Sequence, residues 1–243
     1  MTIFRSTIFF VWFAFVTSVL AITFLPALLL PRSVTVWMAR QWCALTIWGL
    51  NIFADLSFEV HGTPPQQGVL VASKHMSMWD TLALYLVLDD PAMIVKRELM
   101  RVPFYGWYLW KAGSIAIDRK GRASALRRMA TAAAKAFGEH RSVIIFPEGT
   151  RKKPGMPADY KPGVAALYAL LDRPCAPVAL NSGLFWTGPM GFLKKPGRIV
   201  LEFLAPIPAG LKRQQFMATL EERIESKTAR LIEEGRALLS HNR

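Results

Sequence analysis

The sequence has few of the residues on which disulfide-bonded and metal-binding proteins depend. Its 243 residues include two cysteines, Cys43 and Cys175, and both lie in apolar runs without a metal-like neighbour. Two thiols make no disulfide framework, so we expect both to be buried small apolar side chains in a reducing compartment. No zinc spacing, internal repeat or low-complexity segment occurs, which disfavours zinc-finger and solenoid architectures.

Acidic residues are scarce as well, with 17 Asp and Glu against 30 Lys and Arg and a formal net charge of +13. Such a charge concerns binding partners and not the fold. Nucleic acid, anionic lipid surfaces and anionic substrates are the candidates. Because 52% of the residues are apolar and no basic recognition helix is present, lipid is favoured over nucleic acid.

Charged residues are absent from Ile8 to Pro31, a run long enough to cross a bilayer core of about 20 helical residues. It is longer than the apolar part of a secretory signal, the competing interpretation. A second apolar stretch, Val34–Phe53, carries Arg40 at its middle. An interfacial helix would accommodate this arginine by snorkelling. Residues 1–54 therefore predict two membrane-anchoring helices, the first buried in lipid and the second re-entrant or interfacial.

From residue 55 to residue 243 the pattern changes to short apolar strands that alternate with longer helices, which predicts an α/β domain with a mixed, mostly parallel sheet flanked by helices. The predicted strands are Ser57–Val60, Gly68–Ala72, Ala92–Val95, Gly113–Ile117, Ser142–Phe146, Cys175–Leu180 and Ile199–Phe203. The predicted helices are Thr81–Leu88, Arg122–Glu139, Gly163–Leu171 and Arg213–Leu239, the last one a solvated packing helix.

A histidine and an aspartate follow the second predicted strand. His75 lies in the turn after Ser73, and Ser77 with Asp80 resembles a capping box at the start of a helix. With the helix beginning between His75 and Asp80, the carboxylate can reach back to the imidazole. It would then fix the tautomer and leave the other ring nitrogen free to take a proton. On spacing alone, an ordinary loop histidine beside a helix cap remains the alternative.

Basic residues gather after other predicted strands. The segment Phe146–Arg151 reads FPEGTR and continues into two lysines, and its Gly149 lets backbone N–H groups approach a ligand. Arg151 offers a planar fork suited to phosphate. Lys96 ends another strand, and Arg119 ends a third. Because ligands bind at the carboxyl ends of strands in α/β sheets, an anionic head group is the expected ligand, although a solvated basic loop is the alternative.

Four segments together resemble the glycerolipid acyltransferase family, specifically the bacterial 1-acyl-sn-glycerol-3-phosphate acyltransferases. His75–Asp80 looks like the family's His-x4-Asp motif, Gly113–Arg119 is similar to its second motif, Phe146–Arg151 matches the third, and Ala176–Leu180 is similar to the fourth. All four occur in the family's order. The resemblance covers roughly residues 70–204.

This resemblance implies roles for individual residues. His75 would be the general base and Asp80 its orienting partner, and Pro177 would shape the acyl-binding side. The residues that would hold the glycerol phosphate are Arg119, Glu148, Gly149, Thr150 and Arg151. Lys96 is a less specific match to the same phosphate-binding region. The implied reaction moves a fatty acyl group from acyl-CoA or acyl carrier protein to the sn-2 hydroxyl of lysophosphatidic acid, giving phosphatidic acid.

The sequence also suggests how this reaction would proceed. It has no Gly-x-Ser-x-Gly elbow, so we expect no acyl-enzyme, and the activated thioester needs neither a metal nor another cofactor. The flanking basic residues Arg5, Arg32 and Arg40 favour a catalytic domain on the cytoplasmic side, and the resemblance to bacterial enzymes implies the inner membrane. Two alternatives stay open: acylation of another lyso-lipid, such as lyso-ornithine lipid, and a non-catalytic protein that binds anionic lipid at the membrane surface.

Overall fold

The chain begins with two long helices, seen in a computed structural model that describes residues 1–66, 68–118, 122–187 and 191–241. Helix α1 (Thr2–Thr23) and helix α2 (Arg32–Ala54) are joined by a short 3₁₀ segment. Aromatic rings fill the space between them: the rings of Trp12 and Trp48 lie 5.2 Å apart. Trp12 approaches so closely that a Cβ on Gly49 would lie 2.2 Å from its ring, so glycine is required there.

Helix α1 differs from α2 in hydropathy. Within the described residues, α1 is the one helix long and apolar enough to cross a membrane, with little of its apolar window buried inside the protein. Both ends of α1 are nevertheless attached to the rest of the protein. Arg5 pairs with Asp55 at 3.1 Å, and the carbonyl of Ala21 accepts a hydrogen bond from Tyr108. The helix therefore lies along the protein and not apart from it.

Arg40 of α2 corrects one expectation. It does not snorkel, because its guanidinium donates hydrogen bonds to the carbonyl oxygens of Tyr85, Leu86 and Leu88 at 2.9–3.1 Å. These carbonyls belong to the end of helix α3 (Trp79–Val87), where backbone acceptors lack partners within the helix. The arginine thus joins α2 to the α/β domain.

A seven-stranded sheet forms the centre of the domain, in the order β1-β9-β6-β2-β5-β3-β4. Its strands are β1 (Leu56–His61), β2 (Leu70–Ser73), β3 (Ala92–Lys96), β4 (Ile115–Ile117), β5 (Val143–Ile145), β6 (Cys175–Leu180) and β9 (Gly197–Phe203). Neighbours are parallel except for β6 and β9, which are antiparallel. A separate hairpin consists of β7 (Trp186–Thr187) and β8 (Leu193–Lys194). The mixed, mostly parallel sheet confirms the predicted fold class.

Helices cover both faces of this sheet. On one face α2 and α3 pack against alternate strand residues such as Val71 and Ile144. On the other face their neighbours Leu70 and Val143 contact helices α5 (Arg122–Gly138), α6 (Gly163–Leu171) and α7 (Arg213–His241). The alternation follows from the two-residue period of a strand. The apolar core continues from α2 across residue 55 into β1, so the N-terminal helices and the domain share one core.

Helix α4 (Tyr105–Lys111) was absent from the expected elements. Its seven residues are too few to show a helical period, and Pro103 and Gly106 look like loop signals. Phe104, just before it, has φ 61° and ψ −63°, a conformation that sequence patterns do not reveal.

Candidate active site

The candidate site lies where β2 and β5 end. These strands are parallel neighbours, so their carboxyl ends meet at one edge of the sheet. The segment that contains His75 follows β2, and Phe146–Arg151 follows β5. The backbone N–H of Lys152 donates to the carbonyl of His75 at 2.9 Å and holds the two segments together.

Asp80 reaches back to His75 as predicted, with 2.9 Å between its Oδ2 and His75 Nδ1. The carboxylate is fully buried and also accepts from the backbone N–H groups of Met76 and Ser77 at 2.7 and 2.9 Å. Its second oxygen accepts from the hydroxyls of Ser77 and Ser182 at 3.2 and 2.5 Å. Since each donor stabilises the anion, Asp80 is a fixed acceptor for the Nδ1–H tautomer of His75.

The helix start differs in detail from the prediction. α3 begins at Trp79, two residues after the expected cap, and its N-cap position is Met78, which makes no side-chain capping hydrogen bond. The Ser77 hydroxyl accepts from the N–H of Trp79 at 3.2 Å, and Asp80 accepts from the N–H of Ser77. The carboxylate of Asp80 thus holds the turn before the helix and orients the histidine, whereas the predicted capping box at Ser77 is not formed.

The imidazole of His75 stacks on the ring of Phe146, with 4.0 Å between centroids and 22° between planes. Its side chain is 12% exposed. Among the described residues, none hydrogen-bonds Nε2 of His75. The ring is thus held on one nitrogen and one face, while the other nitrogen remains available to a ligand.

A buried charge network lies directly behind this histidine, and sequence reasoning missed most of it. Lys74 is 2% exposed, and its ammonium donates to Glu148 at 2.8 Å and to both oxygens of Glu225 at 2.7 and 2.9 Å. Glu225 comes from α7 and also accepts from the hydroxyl of Tyr160 at 2.9 Å. Burial raises the pKa of Glu148, an effect that the neighbouring Lys74 opposes.

Glu148 therefore differs from its predicted place among the phosphate ligands. It is 1% exposed, and its carboxylate accepts a hydrogen bond from the ammonium of Lys74 inside the protein. A buried carboxylate next to a phosphate would also repel it. The only sequence signal for the network was the position of Lys74, immediately before His75.

Other predicted phosphate ligands are placed at the surface of this edge. Lys96 is exposed at the end of β3, and Thr150 and Arg151 are exposed just beyond β5. Gly149 has φ 64°, a left-handed backbone conformation that favours glycine over residues with a side chain in this turn. Arg119 lies outside the described residues.

An apolar cavity of about 410 Å³ lies between the N-terminal helices and the domain. It is lined by α1, α2, α3 and α4, including Ala21, Ala39, Leu82 and Tyr108. Pro177 does not line it, because that residue is buried in β6 within the sheet, paired with Ala72. Across the described parts of the chain, no three His, Cys, Asp or Glu side chains cluster closely enough to hold a metal ion.

The fold and the His75–Asp80 pair together indicate one class of enzyme, and comparison with known sequences shows which class it is. Residues 57–181 match the family model described as acyltransferase, and the chain belongs to this family. A 1-acyl-sn-glycerol-3-phosphate acyltransferase of Pseudomonas aeruginosa is 32% identical over 192 residues, which cover 78% of this chain and 74% of that one.

Two further comparisons agree. A mouse 1-acyl-sn-glycerol-3-phosphate acyltransferase alpha is 34% identical over 149 residues, and the match spans about half of its length, 52%. The crystal structure of the 1-acyl-sn-glycerophosphate (LPA) acyltransferase PlsC from Thermotoga maritima has a TM-score of 0.74, covering 95% of this chain and 99% of that one. At 20% identity, this likeness bears on the fold alone.

Proposed function

We propose that this enzyme transfers a fatty acyl group from acyl-CoA or acyl carrier protein to the sn-2 hydroxyl of lysophosphatidic acid, making phosphatidic acid. The observation that carries the proposal is the His75–Asp80 pair, bonded through Nδ1 and open at Nε2, beside the basic segment after β5. The names of the related proteins support the same acceptor.

In the proposed mechanism His75 Nε2 removes the proton of the acceptor hydroxyl while Asp80 stabilises the imidazolium that forms. The hydroxyl oxygen attacks the thioester carbonyl, and the tetrahedral oxyanion collapses with loss of the thiolate. The proton taken by His75 then returns to that thiolate or to water. General-base catalysis contributes about 10²–10⁴-fold, so the positioning of the two substrates must supply much of the remaining rate.

Arg151 supports the phosphate of the acceptor in this proposal, together with Thr150, Lys96 and Arg119. A guanidinium binds phosphate through two parallel hydrogen bonds, and Arg151 is exposed on the segment whose backbone is bonded to His75. A phosphate held there would bring the hydroxyl of the same small molecule toward the imidazole. The oxyanion would need backbone N–H donors other than that of Gly149, which donates to the carbonyl of Phe146 at 2.9 Å.

The apolar cavity supports binding of an acyl chain, because no charged side chain lines it and most of its lining residues are apolar. Two of these walls, α1 and α2, are the predicted membrane anchors. We propose that the protein is bound to the inner membrane with the site on the cytoplasmic side, where soluble thioesters reach it. The exposed apolar face of α1 agrees with membrane association.

Product analysis tests the proposal. The purified protein is incubated with labelled acyl-CoA or acyl carrier protein and with lysophosphatidic acid, lysophosphatidylethanolamine or lyso-ornithine lipid. We expect transfer to lysophosphatidic acid, with loss of phosphate selectivity in Arg151→Ala. Transfer only to acceptors without a phosphate monoester would contradict the proposed substrate, and no transfer from either donor would contradict the reaction.

A further inference from the structure

Helix α4 and the turn before it expose an unusual set of large apolar side chains. Trp110 is 73% exposed and Trp107 is 47% exposed. Their neighbours Val102, Phe104 and Tyr105 are also exposed, so five of the nine residues 102–110 form what we call the α4 face. Single exposed apolar residues are ordinary, whereas a contiguous group marks an interaction surface.

The backbone holds the α4 face outward at a cost. Phe104 has φ 61° and ψ −63°, and the N–H of Tyr105 donates to the carbonyl of Pro103 at 2.7 Å, which together form the strained type of γ-turn. Such a conformation costs on the order of 1–3 kcal/mol. Gly106 then packs so closely that a Cβ would lie 2.3 Å from the carbonyl oxygen of Met100. The exposure of Phe104 is therefore imposed by the fold.

The α4 face lies beside the C-terminal end of α1. The hydroxyl of Tyr108 donates to the carbonyl of Ala21 in the last turn of α1 at 2.9 Å. Phe104 and Tyr105 are exposed and at the same time line the apolar cavity. The α4 face thus borders one opening of this cavity.

Cations precede and follow the α4 face in the chain. Lys96 and Arg101 are exposed before it, Arg97 is exposed but paired with Asp118, and Lys111 ends the helix. Tryptophan and tyrosine rings prefer the interfacial layer of a bilayer, and cations beside them attract anionic head groups. A second copy of this chain fits less well, because both copies carry a formal charge of +13 and would bring like charges together.

We propose that the α4 face inserts into the interfacial layer of an anionic bilayer as a contact separate from α1. The cavity then opens into lipid, and the chain of a membrane-borne substrate can enter it without crossing water.

Site-specific labelling tests this proposal. Cys43 and Cys175 are buried, so a cysteine introduced at an exposed position can be labelled selectively. Trp110→Cys reports the α4 face, Phe10→Cys reports α1, and Leu170→Cys on α6 is the matched control on the opposite face of the sheet. Each full-length protein carries an environment-sensitive fluorophore and is reconstituted into phosphatidylglycerol vesicles with or without nitroxide-labelled lipid.

We expect nitroxide quenching and a blue shift at positions 10 and 110, with a water-like signal at 170. A water-like signal at 110 beside a quenched label at 10 would overturn the proposal while leaving anchoring by α1 intact. Equal quenching at 110 and 170 would also overturn it. A blue shift at 110 that falls on dilution with unlabelled protein would identify a second copy of the chain as the occupant. A blue shift that requires acyl carrier protein would identify that protein. Either result would overturn the lipid assignment.

An activity measurement, which rests on the proposed function, tests the consequence for substrate entry. Trp107→Ala with Trp110→Ala should raise KM for vesicle-borne lysophosphatidic acid by about tenfold, which corresponds to about 1.4 kcal/mol of lost lipid contact. The kcat of this double variant should stay within about twofold of that of the unsubstituted protein, since neither residue lines the cavity. The same holds for its KM with a short-chain acceptor dissolved as monomers. An equal rise in KM for both acceptors would overturn the entry role, and an inactive parent protein would count against the proposed function instead.

Discussion

Lys74 shows how a single residue connects distant parts of the sequence. Its ammonium joins Glu148, in the segment after β5, to Glu225 of α7, and it immediately precedes His75. A buried ion pair contributes little relative to an apolar replacement, but removal of one partner leaves an uncompensated charge. We therefore expect the largest loss of stability when one member is removed and a buried charge is left without its partner.

Substitutions in this network should lower the free energy of unfolding by different amounts. Lys74→Met leaves two carboxylates without their cation and should cost about 3–5 kcal/mol of unfolding free energy. Glu225→Gln keeps the Lys74–Glu148 pair and should cost less, about 1–2 kcal/mol. Glu222→Gln, exposed on the same helix, is the control and should change little. Thermal unfolding in detergent measures the order, and equal midpoints for Glu225→Gln and Glu222→Gln would contradict it.

At the scale of elements, α1 and the β7–β8 hairpin are joined by a buried lysine. The ammonium of Lys194 lies 4.4 Å from the ring centre of Trp186 and 5.0 Å from that of Phe9 in α1, and it donates to the carbonyls of Gly191 and Phe192. The backbone N–H of Lys194 donates to the hydroxyl of Ser6 at 2.9 Å. Burial lowers the pKa of Lys194 to about 8.

This lowered pKa predicts a pH dependence of stability. Between about pH 8 and the ordinary lysine value of 10.5, the unfolded chain binds the proton that the folded protein has lost. Stability should therefore rise with pH in this window, relative to Lys194→Met, which lacks the titrating group. Unfolding midpoints of both proteins at pH 7, 8, 9 and 10 measure the difference. A difference independent of pH would contradict the prediction.

For the molecule as a whole, the sequence predicted the sheet better than the site. Strands such as Cys175–Leu180 were correct because apolar runs bounded by turn residues carry their own signal. The contact of His75 with Asp80 was also foreseen, because it is local. Lys74 with Glu225 joins residues 151 positions apart, and the cavity needs four helices together; tertiary packing alone creates both.

The cavity gives a prediction on the same scale. Ala39 lines it from α2, so Ala39→Phe should reduce its volume and shift the preferred donor toward shorter acyl chains. Competition among acyl-CoA species of several lengths measures the preference. Ala44→Phe, on α2 but absent from the cavity lining, is the matched control. Unchanged selectivity in Ala39→Phe, with turnover preserved, would mean that the acyl chain binds elsewhere.

The central claim is that His75, oriented by buried Asp80, removes the proton of the acceptor. The most direct measurement is the turnover of His75→Ala with lysophosphatidic acid and acyl-CoA, beside its thermal unfolding and vesicle binding. We expect kcat to fall by at least about 10²-fold, the low end for loss of a general base, while folding and vesicle binding remain. Turnover of the folded variant within about twofold of the original protein would contradict the account.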